Sequence, residues 1–333
     1  MHADASVVAL GHAIVDVLAR TGDEEIRALG LEKGTMALVE GERARQLYAA
    51  IEPEAHVSGG SAANTAACLA SLGESVRFVG KVASDEMGAT FSADIAAAGV
   101  IYDTPPAGDG APATGSCLVL VTPDAEKTMC TDLGAGATID PADLHKESIA
   151  AARALYIEGY LVGPEGTTAT VDEAVETARR AGTLVSFSAS DPGWVAFQRT
   201  ALLDLLDRVD LLFANEPETL GLAGEDDLEA AITALTARVP LLAVTLGAAG
   251  CVIADREGRR TRVPAVPVAT VVDSTGAGDS FAAGFLYGVV NDLGPERSAR
   301  LGALAAGEVV SHLGARPVAD LRRLAVSAGL LES

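Results

Sequence analysis

The apolar positions of the chain follow two rhythms. Short runs stand at Val7-Val8-Ala9-Leu10-Gly11, Gly115 to Thr122, Ala154 to Ile157, Thr183 to Phe187, Val209 to Ala214 and Leu241 to Thr245. Longer stretches with helical spacing lie at Thr167 to Ala181 and Leu228 to Arg238. Short continuous apolar runs bounded by turn residues predict strands buried on both faces, and a 3.6-residue period predicts helices with one apolar face. The strand-helix-strand alternation from Ala151 onward predicts an α/β fold, a largely parallel sheet with helices on both faces. Further helices are expected from Glu42 to Ala50, from Ala62 to Ala70 with Gly73 as the stop, from Phe281 to Val290, and from Ser298 towards Ser311. The 115–122 run is followed by a Pro123-Asp124 turn and a returning strand. Residues 104–114, rich in Pro, Gly and Ala, read as a connection.

Composition narrows the picture. The chain has 333 residues, 49 % of them hydrophobic, enough for one large α/β domain with an appendage. Its net charge of −22 argues against a nucleic-acid partner, and any polyanion site must be made favourable locally. Cys68, Cys117, Cys130 and Cys251 have neither metal nor disulfide spacing, and the five histidines form no cluster. No apolar run spans a membrane and no basic leader precedes a long apolar segment, so a cytoplasmic protein is expected.

The chemistry concentrates in Val271-Val272-Asp273-Ser274-Thr275-Gly276-Ala277-Gly278-Asp279-Ser280-Phe281. It reads as strand, tight turn and helix N-terminus. The first N–H groups of a helix have no internal partner and carry partial positive charge, which makes an anion site. An Asp in a first helical turn also has a plain structural account, because it favours the dipole. Two familiar phosphate motifs are absent: Phe281 holds the place of a third glycine, and Gly80-Lys81 has Ser75 and Val82 where a P-loop needs Gly and Ser or Thr. Asp16 follows the first strand, and Gly59, Gly60 and Asn64 stand at the entry of an Ala-rich helix whose close packing does not by itself account for them. Asn215 and Glu218 also make a good helix N-terminus on local grounds alone.

The 273–281 string resembles the Asp-Thr-x-Gly-Ala-Gly-Asp-x-Phe signature of the ribokinase (PfkB) family of sugar and nucleoside kinases, with Ser274-Thr275 where the family usually has Thr-x. Gly59, Gly60 and Asn64 match its Gly-Gly-x-x-x-Asn, Asn215 and Glu218 its Asn-x-x-Glu, and Thr245, Gly247 and Gly250 its Thr-x-Gly-x-x-Gly. The resemblance implies a ribokinase-like fold with a small β-rich lid, main domain 1–12, 51–103 and 131–333, lid 13–50 and 104–130. It implies Asp279 as catalytic base, with the N–H groups of Gly276, Ala277 and Gly278 as anion hole. Asp16, Gly59, Gly60 and Asn64 would hold the acceptor, beside His12, which replaces the usual Asn. Asn215, Glu218, Thr245, Gly247 and Gly250 would serve ATP and Mg²⁺. Asp273, Thr275, Ser311 and Gly314 would surround a monovalent cation such as K⁺. Three strings look most like bacterial adenosine-kinase-like members: Gly-His-Ala-Ile-Val-Asp-Val-Leu from Gly11, Tyr156-Ile157-Glu158-Gly159-Tyr160-Leu161, and Ser188-Ala189-Ser190-Asp191-Pro192. The expectation is ATP-dependent phosphorylation of a ribose-type hydroxymethyl group, on adenosine or a similar nucleoside. A free sugar such as ribose or fructose is the alternative within the family, and a catalytically silent sugar- or nucleoside-binding protein the alternative outside it. No membrane partner is expected, and a monomer or homodimer.

Overall fold

The computed structural model describes residues 5–124 and 126–332. Its strands in chain order are β1 (Val7–Leu10), β2 (Ile14–Arg20), β3 (Met36–Leu38), β4 (Ala55–Gly59), β5 (Val76–Val79), β6 (Thr114–Val121), β7 (Lys127–Gly134), β8 (Ala154–Glu158), β9 (Leu184–Ser188), β10 (Leu211–Asn215), β11 (Leu241–Thr245), β12 (Cys251–Asp255) and β13 (Arg260–Val263). Eight of them form one sheet in the order β13-β12-β11-β10-β9-β8-β1-β5. β5 through β11 in that order run parallel, and β12 and β13 close the edge antiparallel.

The alternation within each strand splits the core in two. Val7 and Ala9 of β1 face one side, where they meet Phe281, Phe285, Leu301 and Leu321 of the helices Ala277–Val290, Pro295–Val309 and Leu321–Ser327. Val8 and Leu10 face the other, against Val171 and Val175 of the helix Glu165–Ala181 and Leu202 and Leu206 of Pro192–Leu206. Both faces are dry, which is why these strands read as continuous apolar runs.

The second sheet has the order β3-β7-β6-β2-β4. One face packs Val17, Ala19, Leu118 and Leu120 against Ile26 and Leu47 of the helices Asp23–Ala28 and Gly41–Ala49. The other presents Ile14, Cys117 and Val119, with Leu18, Met129 and Leu133 beside them. This sheet takes in β4 and follows β7 to Gly134, so 55–59 and 131–134, allotted to the main domain from the sequence, pair with lid strands instead. The hairpin after Thr114 forms as expected, β6 pairing antiparallel with β7. A further expectation fails. Val271-Val272 is not a strand: the two side chains are 62 % and 46 % exposed, and the segment meets Val310 through single backbone bonds rather than a ladder. β-branching made it look like a strand, but nothing covers it.

Candidate active site

The parallel strands end at one edge of the main sheet, where ligands bind in open α/β folds. There His12, Glu158, Ser188, Asn215 and Thr245 meet the apolar face of the lid sheet around a cleft of about 750 Å³.

Asp16 sits on β2 between Ile14 and Leu18, so the pleat that turns those side chains to the cleft turns its carboxylate there too. Burial pushes Asp16 up to about 7, against the opposing pull of the Arg316 and Lys127 charges. Two glycines make room beside it. A Cβ on Gly59 would stand 2.5 Å from Asp16 Oδ2, and one on Gly60, at φ 95°, 2.3 Å from the His12 carbonyl oxygen. His12 is 2 % exposed and Glu158 1 %. Glu158 Oε1 accepts from the His12 backbone N–H and pairs with its Nδ1, each at 2.8 Å, and Oε2 accepts from Ala62 N–H at 2.9 Å.

Asp279 lies in the first turn of the helix Ala277–Val290, whose N-cap is Gly276 at φ 76°. A Cβ on Gly276 would stand 2.4 Å from the Ala315 carbonyl oxygen, so only glycine lets the turn and the 314–316 segment close on each other. Ser61 Oγ donates to Asp279 Oδ1 at 2.7 Å and Asn64 Nδ2 to Oδ2 at 3.2 Å. Burial raises Asp279 to about 6 in spite of those two donors. A carboxylate held in place yet easily protonated suits a general base. Gly276 and Gly278 line the cleft; Ala277 does not, and its N–H donates to Ser274 O at 3.2 Å.

At the other end of the cleft, Asn215 caps the helix Glu216–Ala223. Asn215 N–H and Nδ2 donate to the two Glu218 oxygens at 2.9 and 2.7 Å, and Glu218 N–H donates back to Asn215 Oδ1 at 2.9 Å. Burial pushes Glu218 up to about 7, partly countered by the Asn215 N–H, with Asp191 and Asp279 adding repulsion. A lone carboxylate with one donor on each oxygen fits a hydrated Mg²⁺ arriving with a nucleotide; no set of three metal-ligating side chains exists among the described residues. Thr245 lines the cleft, whereas Gly247 and Gly250 belong to the β11–β12 turn beyond its lining.

The residues assigned to a monovalent cation fit one poorly. Asp273 Oδ1 accepts from Thr275 N–H and Oγ1 at 2.9 and 2.7 Å and from the Lys127 ammonium, which also donates to Thr275 Oγ1 at 2.7 Å; Oδ2 accepts from Gly314 N–H at 3.1 Å. Burial alone would raise Asp273, but these donors hold it at about 2. The lid thus brings its own cation to this carboxylate. Ser311 is exposed, its hydroxyl spent on Glu308 O.

Sequence reasoning missed Glu158, Lys127, Ser58, Ser61 and Arg316. Arg316 Nε donates to Asn64 Oδ1 at 3.2 Å and Nη1 to Ser58 Oγ at 2.6 Å. Only Glu158 left a trace, as a charge ending an otherwise apolar buried strand.

Comparison with known proteins agrees with this geometry. The pfkB family carbohydrate kinase profile matches residues 50–321. A solved structure of an adenosine kinase from Sinorhizobium meliloti superposes with a TM-score of 0.92 at 39 % identity, covering 98 % of this chain and 100 % of that one. One from Rhizobium etli, named a probable sugar kinase protein, gives 0.93 at 39 % identity, covering 98 % and 99 %. A fructokinase of Klebsiella pneumoniae is 33 % identical over 251 residues, 73 % of this chain and 80 % of its own. The fold is ribokinase-like, and the chain belongs to the pfkB family of carbohydrate kinases, phosphotransferases acting on sugars and nucleosides.

Proposed function

We propose that the acceptor is a nucleoside, adenosine or one like it, phosphorylated on its ribose hydroxymethyl group. The observation that carries this is the apolar wall beside Asp16. Leu18, Met36, Leu38, Val57, Val119, Met129 and Leu133 line the cleft, and Leu38 and Val57 remain 48 % and 41 % exposed. A free sugar, ringed with hydroxyls, covers little of such a wall; a flat base covers far more. Asp16 accepts from the ribose diol, a pair of neighbouring hydroxyls that suits a carboxylate. The base then lies along the lid sheet and the hydroxymethyl group points to Asp279.

In the reaction the acceptor oxygen forms a bond to the γ-phosphorus of ATP while the bond from that phosphorus to the bridging oxygen of ADP breaks. The hydroxyl proton passes to Asp279. The helix N-terminus at Gly276 and Gly278 faces the charge on the phosphoryl oxygens. ATP enters from the Thr245 side. Mg²⁺ supplies charge neutralisation on its phosphates, and Glu218 with Asn215 would hold it through water. The lid excludes water that would otherwise compete with the acceptor.

A free sugar is the second reading, favoured by the likeness to the fructokinase. Magnesium- and ATP-dependent ADP release decides, with adenosine, ribose and fructose in parallel cells. Turnover with adenosine alone supports the nucleoside; turnover with a free sugar alone overturns it and leaves the mechanism in place.

A further inference from the structure

Arg316 reaches into the cleft from the segment after the helix Pro295–Val309. Its guanidinium is held at two points, Nε on Asn64 Oδ1 at 3.2 Å and Nη1 on Ser58 Oγ at 2.6 Å. Nη2 is shielded from bulk solvent and has no hydrogen-bond partner among the described residues. A guanidinium carries five donors in a rigid plane, and its strong partners are the paired oxygens of carboxylates and phosphates. Here neither held nitrogen meets a carboxylate. Both partners are neutral, so the positive charge is fixed in direction and left uncompensated by any direct ion pair. Leaving a buried charged donor unpaired is costly unless something completes it.

Its neighbours say where that something arrives. Ser58 and Asn64 flank Gly59-Gly60 at the acceptor end. Ala315, next in the chain, is the residue whose carbonyl lies against Gly276 at the helix N-terminus. Asn64 passes the link on, since its amide donates to Asp279. Arg316 therefore stands between the acceptor pocket and the anion-attracting turn, where the transferred phosphoryl group must lie as it leaves ATP. The carboxylates whose charge acts on it, Asp94, Asp16 and Asp279, make no direct ion pair with it among the described residues.

We propose that Arg316 is a catalytic residue whose free Nη2 binds the phosphoryl group in flight, and afterwards the phosphate of the product, with Ser58 and Asn64 aiming it. This rests on the kinase reading of the same site. The alternative anion is one carried by the acceptor itself, a carboxylate or a phosphate, and the experiment separates the two.

Arg316→Gln and Arg316→Lys are compared with the wild type in steady-state turnover and in calorimetric titration of the acceptor and of its phosphorylated product. For Arg316→Gln, kcat falls by about 10²-fold or more, as for loss of one preorganised donor to transition-state charge. Acceptor affinity stays within about threefold while product affinity drops about tenfold or more, because only the product brings the phosphate. Arg316→Lys restores part of the product affinity but little of kcat, having one point charge where the fork had two anchored nitrogens aiming a third. Unchanged kcat in Arg316→Gln overturns the proposal. So does a loss of acceptor affinity equal to that of product, which would leave Arg316 only a positioning role through Asn64. A wild-type preference for an anionic acceptor that Arg316→Gln abolishes, with neutral acceptors unaffected, also overturns it in favour of acceptor reading. Wild-type silence with every acceptor would remove the kinase reading, and this inference with it.

Discussion

Asp16 should cost the unliganded protein stability, and Asp16→Asn should show how much. Among the described residues its carboxylate has no hydrogen-bonded partner, unlike Asp273 or Glu158, so the amide loses no bond that the acid made there. Its rise from the ordinary 3.8 to about 7, at about 1.4 kcal/mol per pH unit, bounds the cost of keeping it ionised at roughly 4 kcal/mol. The carboxylate opens onto the cleft, and water there returns part of that, so the expected gain is about 1–2 kcal/mol. The sign follows from proton binding. Between pH 4 and 7 the native state holds a proton on Asp16 that the unfolded chain has released, so wild-type stability falls as pH rises through that window and levels off above it. The variant has no such proton.

Urea unfolding of both proteins at pH 4, 5, 6, 7 and 8 measures the difference, and the other titrating groups largely cancel between them. The gap should open in favour of Asp16→Asn across pH 4–7 and hold at pH 8. Acceptor binding should fall in the same variant. A variant less stable than wild type at pH 8, or a gap that does not change with pH, would refute the reasoning.

Three further outcomes follow from the same geometry. Turnover should rise with pH through about 6 as Asp279 loses its proton and then flatten, and Asp279→Ala should lower kcat by about 10²–10⁴-fold while sparing acceptor binding; a flat profile from pH 5 to 8 counts against the base. Because Lys127 already sits on Asp273 and Thr275, exchanging K⁺ for tetramethylammonium at constant ionic strength should leave turnover within about twofold, whereas Lys127→Met should make it respond to K⁺; strong K⁺ stimulation of the wild type contradicts this. Leu38→Ser on the lid wall should raise the nucleoside KM by about tenfold for roughly 1–2 kcal/mol of lost apolar contact and leave any free-sugar KM alone; equal effects on both would place the base elsewhere.

What the sequence disclosed, and what it hid, has a physical pattern. Val7-Val8-Ala9-Leu10 announced a strand because both its faces are buried, and the turn at Gly276 because only glycine fits there. Asp279, Asp16, Asn64 and Glu218 were legible because each stands in a short family signature; their local surroundings alone also fit plain caps and turns. Val271-Val272 misled, since β-branching reports a preference and not whether a neighbouring strand exists. The helix expected to start at Thr167 begins at Glu165, and Thr167 instead donates its hydroxyl to Leu161 O at 2.6 Å. Lys127 and Arg316 left no signal at all: their partners lie 146 and 252 residues away, Asp273 for one and Asn64 for the other. No window along the chain contains such a pair, so only the fold reveals it.

Besides the exposed Glu54, which pairs with Arg20, the cleft carries five acids, Asp16, Glu158, Glu218, Asp273 and Asp279, in a chain that is already strongly negative. What separates them is how far each is matched by donors. Glu158 takes three hydrogen bonds and braces His12 and the start of the helix Ser61–Ser71. Asp273 takes an ammonium, a hydroxyl and two backbone N–H groups and ties the lid to the catalytic turn at about 2. Asp16, Glu218 and Asp279, the first and last half-buried and Glu218 buried, have too few donors for their charge and rise to between about 6 and 7. Those three are the groups the reaction would use, for the diol, the metal and the proton. A carboxylate that the protein has fully satisfied has nothing left to give a ligand, and one left short is completed only when the ligand arrives. The same dry cleft that raises them also strengthens whatever cation meets them, so the cost borne by the empty site and the charge chemistry of the filled one have a single cause.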